Sequence, residues 1–201
     1  MRIVIDMQGC QNLSRNRGIG RYTTGMVTGF LKEAVTQHDC HLLFNGQFND
    51  NLGQLINHYS DFVPISNIHI WYGIGPCSGS NANNKINKNI SVILREKFIE
   101  KIDPDFVFLT TYFEGYHDDT VLSIPKTRRY KVIATSHDLI PLIQPKIYLD
   151  PNPDFKKYYL EQISEFKEAD LYAAVSNSCS NELKTYLGIS KEKIIITSEG
   201  I

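Results

Sequence analysis

The sequence offers little from which a metal centre, a disulfide framework or a membrane span could be built. Its four cysteines form no Cys-x-x-Cys pair, which argues against a zinc site and against disulfide cross-links. They lie far apart, at Cys10, Cys40, Cys77 and Cys179. No apolar run approaches the length of a membrane-spanning helix, and no secretory leader follows Met1. We therefore expect reduced, partly buried thiols in a cytoplasmic protein.

An excess of either charge is also missing. The chain has 21 lysines and arginines against 22 aspartates and glutamates, for a net charge of −1. The basic residues are spread along the chain, so we expect no nucleic-acid partner, and any binding of anions must be local. Hydrophobic residues are plentiful, at 42% of 201 positions, which is enough to bury a core. We expect one domain over residues 1–201.

Short apolar runs alternate along the chain with stretches of helical period. The predicted strands are Arg2 to Met7, His41 to Asn45, Ile68 to Tyr72, Phe106 to Leu109, Tyr130 to Thr135, Leu171 to Val175 and Lys193 to Thr197. The predicted helices are Ile19 to Val35, Asn49 to His58, Ile90 to Ile102, Asp154 to Ala169 and Ser178 to Leu187. Most strands are apolar on both faces, which is typical of covered parallel strands. The pattern predicts an α/β fold, a Rossmann-like doubly wound, mostly parallel sheet of about seven strands.

Two connections between these elements are long, and a third stretch is strongly polar. Thr110 to Arg129 and Ser136 to Pro153 leave the carboxyl ends of strands, where open α/β sheets bind ligands, so we expect both to be functional. The polar stretch Ser78 to Asn89 has the composition of a mobile surface linker.

The turn after the first strand contains Gly18 and Gly20. Glycines there let the backbone N–H groups at a helix start approach an anion closely. The segment is not a full Gly-x-Gly-x-x-Gly, because Thr23 stands where the third glycine would be, and no acidic residue follows the second strand. A dinucleotide-dependent dehydrogenase is therefore disfavoured.

The three arginines of this turn allow two interpretations. Arg15, Arg17 and Arg21 could bind phosphate oxygens through charge-assisted hydrogen bonds. Alternatively they are solvated, and the glycines only shape the turn.

Polar residues also follow the fourth and fifth strands. His137 and Asp138 leave the fifth strand, where the histidine can donate to a sugar hydroxyl or an oxyanion, or can simply cap the turn. The segment "TTYFEGYHDD", residues 110–119, mixes aromatic rings with carboxylates, which suits carbohydrate. Glu114, Asp118 or Asp119 could accept hydroxyl hydrogens, or could be solvated loop residues. A metal site on the adjacent residues 117–119 is disfavoured, because no spaced partner is apparent.

Together, these segments resemble a known family. In order, "RIVIDMQGCQ", "SRNRGIGRY", "FEGYHDD", "SHDLIPL", "EADLYAAVSNSCSNEL" and "KIIITSEGI" are similar to the N-terminal half of a bacterial group-one retaining glycosyltransferase of the GT-B fold. The likeness is to mannosyltransferases and related enzymes of O-antigen and capsular polysaccharide synthesis. It implies transfer of a hexose, mannose favoured, from a nucleotide sugar, GDP-mannose favoured, to a growing surface polysaccharide with retention. It also implies that no metal or other cofactor is needed.

The resemblance assigns roles to particular residues. Gly18, Gly20 and Arg21 would meet the donor diphosphate, and His137 would be the catalytic histidine that reaches the transferred sugar. The acceptor side would comprise Arg15, Arg17, Tyr22, Tyr112, Glu114 and Asp138. The implied partners are a nucleotide sugar, a glycan or lipid-linked glycan acceptor, and a C-terminal donor-binding domain of the same protein.

That donor half is absent from this chain, which ends at Gly200-Ile201. We expect the chain alone to be inactive in transfer. The alternative function is a non-catalytic Rossmann-like module that binds a sugar or a nucleotide, and a third possibility is an oxidoreductase. Peripheral contact with the inner face of the cytoplasmic membrane is a further expectation, since "PKTRRYK", residues 125–131, is basic; a solvated strand edge explains this run equally well.

Overall fold

A computed structural model describes residues 1–198, and the strands within them form one parallel sheet. They are β1 (Arg2–Asp6), β2 (Asp39–Asn45), β3 (Ile68–Trp71), β4 (Phe106–Leu109), β5 (Lys131–Ser136), β6 (Leu171–Ala174) and β7 (Ile194–Ile196). Their spatial order is β3-β2-β1-β4-β5-β6-β7, and each neighbouring pair is parallel. This confirms the predicted fold class. The final residues of the chain, Gly200-Ile201, lie outside the described part.

Helices connect the strands. They are α1 (Gly18–Ala34), α2 (Leu52–Tyr59), α3 (Lys85–Ile102), α4 (Ile140–Ile143), α5 (Pro145–Tyr148), α6 (Pro153–Phe166) and α7 (Asn177–Leu187). Local signals fix several ends: the Asn152 side chain accepts from the Phe155 N–H before α6, and Gly188 ends α7 in the left-handed region at φ 69°. Two short helices, α4 and α5, occupy the connection predicted as a long loop over residues 136–153.

The core lies in two layers, one on each face of the sheet. On one face, Ile5 and Phe44 belong to the same cluster as Val27 of α1. On the other face, Val107 clusters with residues of α3, α6 and α7, Phe166 among them. Helices on both faces explain why most strands are apolar on both sides.

The prediction of a polar linker at residues 78–89 is wrong for most of these residues. A single 3-10 turn spans Ala82–Asn84, and α3 starts at Lys85. The side chain of Asn81 accepts from the Asn83 N–H, which starts the turn. The helix predicted from Ile90 thus begins five residues earlier, and its start was missed because residues 85–89 are polar apart from Ile86, which is exposed.

A buried ion pair connects β1 to α3. The Asp6 carboxylate and the Arg95 guanidinium, each 1% exposed, are 2.6 Å apart. The N–H of Gln8 donates to Asp6, and the Gln8 side chain bonds both the amide of Asn45 and the backbone of Val121. This network fixes the loops at the carboxyl edge of the sheet.

The basic run after residue 125 lies at the amino end of β5, on the edge opposite to the carboxyl ends of the strands. Arg128 and Lys131 lie 2.6 and 3.1 Å from Asp170, and Lys126 lies 3.8 Å from Glu168. These pairs offset much of the positive charge, which favours the strand-edge interpretation of the run.

All four cysteines are free and buried, as expected, and burial raises the pKa of the Cys10 thiol to about 12. The single tryptophan, Trp71, ends β3 and is 1% exposed. None of the helices in residues 1–198 combines the length and the apolar character that crossing a membrane requires.

Candidate functional site

A cavity of about 620 Å³ opens at the carboxyl ends of the central strands. Its walls are the turn after β1, the segment after β4, His137 after β5 and Val175 after β6. Carboxyl ends of parallel strands meet at one edge of the sheet, so residues distant in sequence converge here. This is the edge at which the sequence predicted the site.

The amino end of α1 faces this cavity. Gly18 and Ile19 line it, and Arg17 precedes them in extended conformation. The N–H of Gly20 donates to the Ser14 carbonyl at 3.2 Å, whereas those of Gly18 and Ile19 find no acceptor within residues 1–198. A helix start with free N–H groups is suited to an anion.

The two glycines of the turn have different roles. A Cβ at Gly20 would overlap the backbone carbonyl of Arg15, whereas one at Gly18 would meet nothing within 4 Å. Gly20 therefore lets α1 pack on the preceding turn and lies behind the cavity wall. Of the pair, Gly18 is the one beside the cavity.

The three arginines of the turn also differ in their position relative to the cavity. Arg17 lines the cavity. Arg15 turns away from it, with both terminal nitrogens 3.2 Å from Asp50, and so does not reach the predicted acceptor side. Arg21 is exposed on α1 outside the cavity lining, and its contact with a donor phosphate stays a prediction.

His137 is held on two sides. Its Nε2 lies 3.2 Å from the Thr110 carbonyl, which can only accept, so Nε2 carries the proton of that bond. The Tyr22 ring meets the imidazole edge-on, with 5.1 Å between ring centroids, and the Tyr22 hydroxyl is 2.6 Å from Thr197 Oγ1. Tyr22 is buried, so it supports the histidine and offers little surface to an acceptor. Asp138 lines the cavity beside His137.

Glu114 lines the same cavity as His137. Burial and the negative charge of Asp118 raise the pKa of Glu114 to about 7, although a hydrogen bond from Ser14 and the charge of Arg17 oppose the shift. The Ser14 hydroxyl lies 3.3 Å from both carboxylate oxygens. A carboxyl group that titrates near neutral pH can accept or donate a proton to a bound hydroxyl group.

Tyr112 does not reach the cavity. It is 1% exposed and packs against Phe113 and Phe166 in the core, because it follows β4 on the side covered by α6. Its predicted place on the acceptor side is therefore corrected. The cavity thus brings together six of the predicted residues: Arg17, Gly18, Glu114, Asp118, His137 and Asp138.

The sequence did not single out several other lining residues. Ser14 lies in the arginine turn, while Asn152 and Phe155 come from the start of α6. Pro153 could have pointed to Asn152 and Phe155, because a proline is common in the first turn of a helix. Asp119, an alternative acceptor ligand, instead accepts from the N–H groups of Cys77 and Ser78. Residues 1–198 contain no group of three or more His, Cys, Asp or Glu placed to hold a metal ion.

The seven-stranded parallel sheet with helices on both faces is shared with solved structures of known proteins. Along 97% of its length the chain is similar in fold to UDP-GlcNAc 2-epimerase from Methanocaldococcus jannaschii, with a TM-score of 0.54, 13% identity and 44% of that chain covered. The UDP-GlcNAc 2-epimerase from Neisseria meningitidis bound to UDP-GlcNAc is also similar in fold, with a TM-score of 0.56 and 13% identity. The match covers 99% of this chain and 47% of that epimerase. At this identity the likeness shows the fold alone.

Sequence comparison then gives the family. Residues 17–201 match Glycosyltransferase Family 4, and the chain belongs to this family. It is 31% identical over 203 residues to the serotype-specific mannosyltransferase WbdA of Escherichia coli, covering 100% of this chain and 24% of WbdA. A second WbdA sequence from Escherichia coli is 28% identical over 171 residues. This match covers 84% of this chain and 21% of that WbdA sequence. The chain thus spans between a fifth and a quarter of the length of these relatives.

Proposed function

We propose that this chain is the acceptor-side domain of an enzyme that transfers mannose from a nucleotide sugar, GDP-mannose being favoured, to a growing surface polysaccharide with retention of configuration. The observation that carries the proposal is the cavity where the start of α1, Glu114 and His137 converge. The identity to a mannosyltransferase along the whole chain supports the choice of sugar.

Each wall of the cavity would contribute one part of the reaction. The N–H groups of Gly18 and Ile19, with the Arg17 guanidinium, would stabilise the negative charge that develops on the departing diphosphate. His137, oriented by Thr110 and Tyr22, would contact the transferred sugar.

Glu114 would accept a hydrogen bond from the attacking hydroxyl group of the acceptor. Its raised pKa suits a group that hydrogen-bonds a hydroxyl near neutral pH. The acceptor would be a glycan or a lipid-linked glycan, which would bring the enzyme to the inner face of the cytoplasmic membrane. We further propose that a second domain binds most of the donor, so the 201-residue chain alone has no transfer activity.

The test is transfer by the full-length protein with a panel of nucleotide sugars. We expect GDP-mannose to be the preferred donor, and His137→Ala to lower kcat by about tenfold or more, the equivalent of about 1.4 kcal/mol of transition-state stabilisation. His58→Ala, an exposed histidine of α2, is the matched control and should leave kcat unchanged. Equal rates in all three proteins would refute the assignment of His137.

Binding of sugars without any turnover by the full-length protein would instead support the non-catalytic module. Turnover by the isolated 201-residue chain would contradict the proposed division between two domains.

A further inference from the structure

A second cavity, of about 350 Å³, lies between the start of α3 and α6. The segment at residues 79–80 separates it from the first cavity, because Gly79 and Ser80 donate N–H bonds of 2.9 and 2.8 Å to the carbonyls of Gly115 and Tyr116. The two cavities therefore lie on opposite sides of one shared wall. None of the roles proposed above uses this second cavity.

Lys88 extends into the second cavity from α3. Its Nζ lies 3.0 Å from the Tyr158 hydroxyl and 4.1 Å from the centroid of the same ring. No carboxylate within residues 1–198 is close enough to form an ion pair with it. Burial lowers the pKa of Lys88, although the negative charges of Glu165 and Glu161 oppose the shift from beyond ion-pair distance. A partly buried cation without a carboxylate partner favours an anionic ligand.

The charges at the rim of the cavity balance in number. Its rim carries two exposed lysines and two exposed carboxylates, Lys85, Lys157, Asp154 and Glu161. Glu165 lies deeper, where it accepts from the Ile124 N–H at 2.9 Å. Burial raises the pKa of Glu165, so its negative charge is disfavoured. Among the described residues, Lys88 is thus a half-buried cation of the cavity lining with no carboxylate within ion-pair distance.

The remaining lining is rich in hydrogen-bonding groups that match sugar hydroxyls. Hydroxyl and amide side chains face the cavity from both walls, at Ser78, Ser80, Asn81, Asn89 and Gln162. Such groups both donate and accept, as sugar hydroxyls do. The lining therefore places hydroxyl and amide groups beside the half-buried Lys88 ammonium.

We propose that this cavity is a carbohydrate subsite for a sugar that carries a phosphate or carboxylate group, with the anion bound by the Lys88 ammonium. The inference does not depend on the proposed transfer reaction. Tyr158 connects the two cavities: its hydroxyl accepts from Lys88 and donates to the Glu114 carbonyl at 2.7 Å. A ligand bound in the subsite would therefore affect the segment that carries Glu114 through the Tyr158 hydroxyl.

Binding to the 201-residue chain can be measured by NMR titration with mannose 6-phosphate, glucuronate, mannose and inorganic phosphate. We expect one or both anionic sugars to bind more tightly than mannose and than phosphate, with shifts at Gly79, Ser80 and Lys88. Lys88→Met keeps most of the side-chain volume and should weaken that binding about tenfold, the loss expected for one charge-assisted hydrogen bond.

Two further variants control for folding and for general charge. Lys97→Met removes a lysine of the same helix that is exposed and paired with Glu100, outside the cavity, so it should bind like the wild type. Lys88→Arg keeps the charge and should retain most of the affinity. Equal binding by wild type and Lys88→Met would overturn the proposal, as would anionic sugars that bind no better than mannose. Phosphate binding as tightly as mannose 6-phosphate would reduce the cavity to an anion site and overturn the carbohydrate part.

Discussion

Glu114 occupies a position that is unfavourable for a charged carboxylate. Burial and Asp118 both oppose its ionisation, and the single hydroxyl of Ser14 compensates only in part. The folded state therefore binds a proton at Glu114 more tightly than the unfolded chain does. Such a group lowers stability when it is ionised.

The pH dependence of stability should reveal this cost. Because the pKa of Glu114 rises from 4.5 to about 7 on folding, the folded state loses stability as pH increases through that window. Glu114→Gln should therefore be more stable than the wild type at about pH 8, by about 1–3 kcal/mol, with little difference below about pH 4.5.

Urea denaturation at several pH values measures this difference. Glu33→Gln, an exposed carboxyl on the outer side of α1, is the matched control and should show no such pH dependence. If Glu114→Gln followed the wild type at every pH, Glu114 would not be the buried, titrating group described above.

At the scale of elements, the start of α1 forms one wall of the first cavity. Its start is held against the turn before it, because the N–H of Gly20 donates to Ser14 and the Gly20 Cα packs on the Arg15 carbonyl. This close approach brings Arg17 and Gly18 to the cavity.

Two alanine substitutions in α1 should have opposite effects. Gly20→Ala introduces a Cβ that overlaps backbone, so we expect it to lower the free energy of unfolding by about 1–3 kcal/mol or more. Gly25→Ala has open space around it and removes a flexible residue from a helix, so we expect a gain of about 0.5–1 kcal/mol. Thermal or urea denaturation measures the free energy of unfolding of both variants. If both substitutions changed it in the same direction, the packing of α1 described here would be refuted.

The sequence predicted the sheet well because most strands are short apolar runs separated by helices with a clear period. It failed at the start of α3, where the period inverts: Ile86 is 71% exposed and Ile93 56%, whereas Arg95 is buried. The reason is the partner of Arg95, Asp6, which lies 89 positions away in sequence. No local pattern shows such a pairing.

The site was predictable to the extent that strand ends determine it. His137 and Glu114 follow β5 and β4 directly, so the topology alone brings them to one edge. The direction of a side chain was not predictable in the same way. Arg15 turns outward because Asp50 of another loop binds it, and Tyr112 turns inward because the core beneath α6 has room for its ring.

For the whole molecule, the Asp6–Arg95 pair connects the sheet to the helical layer that includes α3. We expect Arg95→Met to lower the free energy of unfolding by about 3–5 kcal/mol, because a carboxylate remains buried without its partner. Lys97→Met breaks the exposed pair with Glu100 on the same helix and should cost less than about 1 kcal/mol.

Urea denaturation of both proteins gives the comparison, and Asp6→Asn added to Arg95→Met should recover part of the loss. Equal stability of Arg95→Met and Lys97→Met would show that the buried pair does not hold the two layers together.

Trp71 provides an optical signal for these measurements. It is the only tryptophan of the sequence, and it is enclosed at the end of β3, where β2 pairs with it and the layer containing α3 covers it. Indole fluorescence will therefore come from a single apolar environment in the folded chain and shift to longer wavelength when water reaches the ring. Because Trp71 lies outside the lining of both cavities, its emission reports on folding separately from ligand binding.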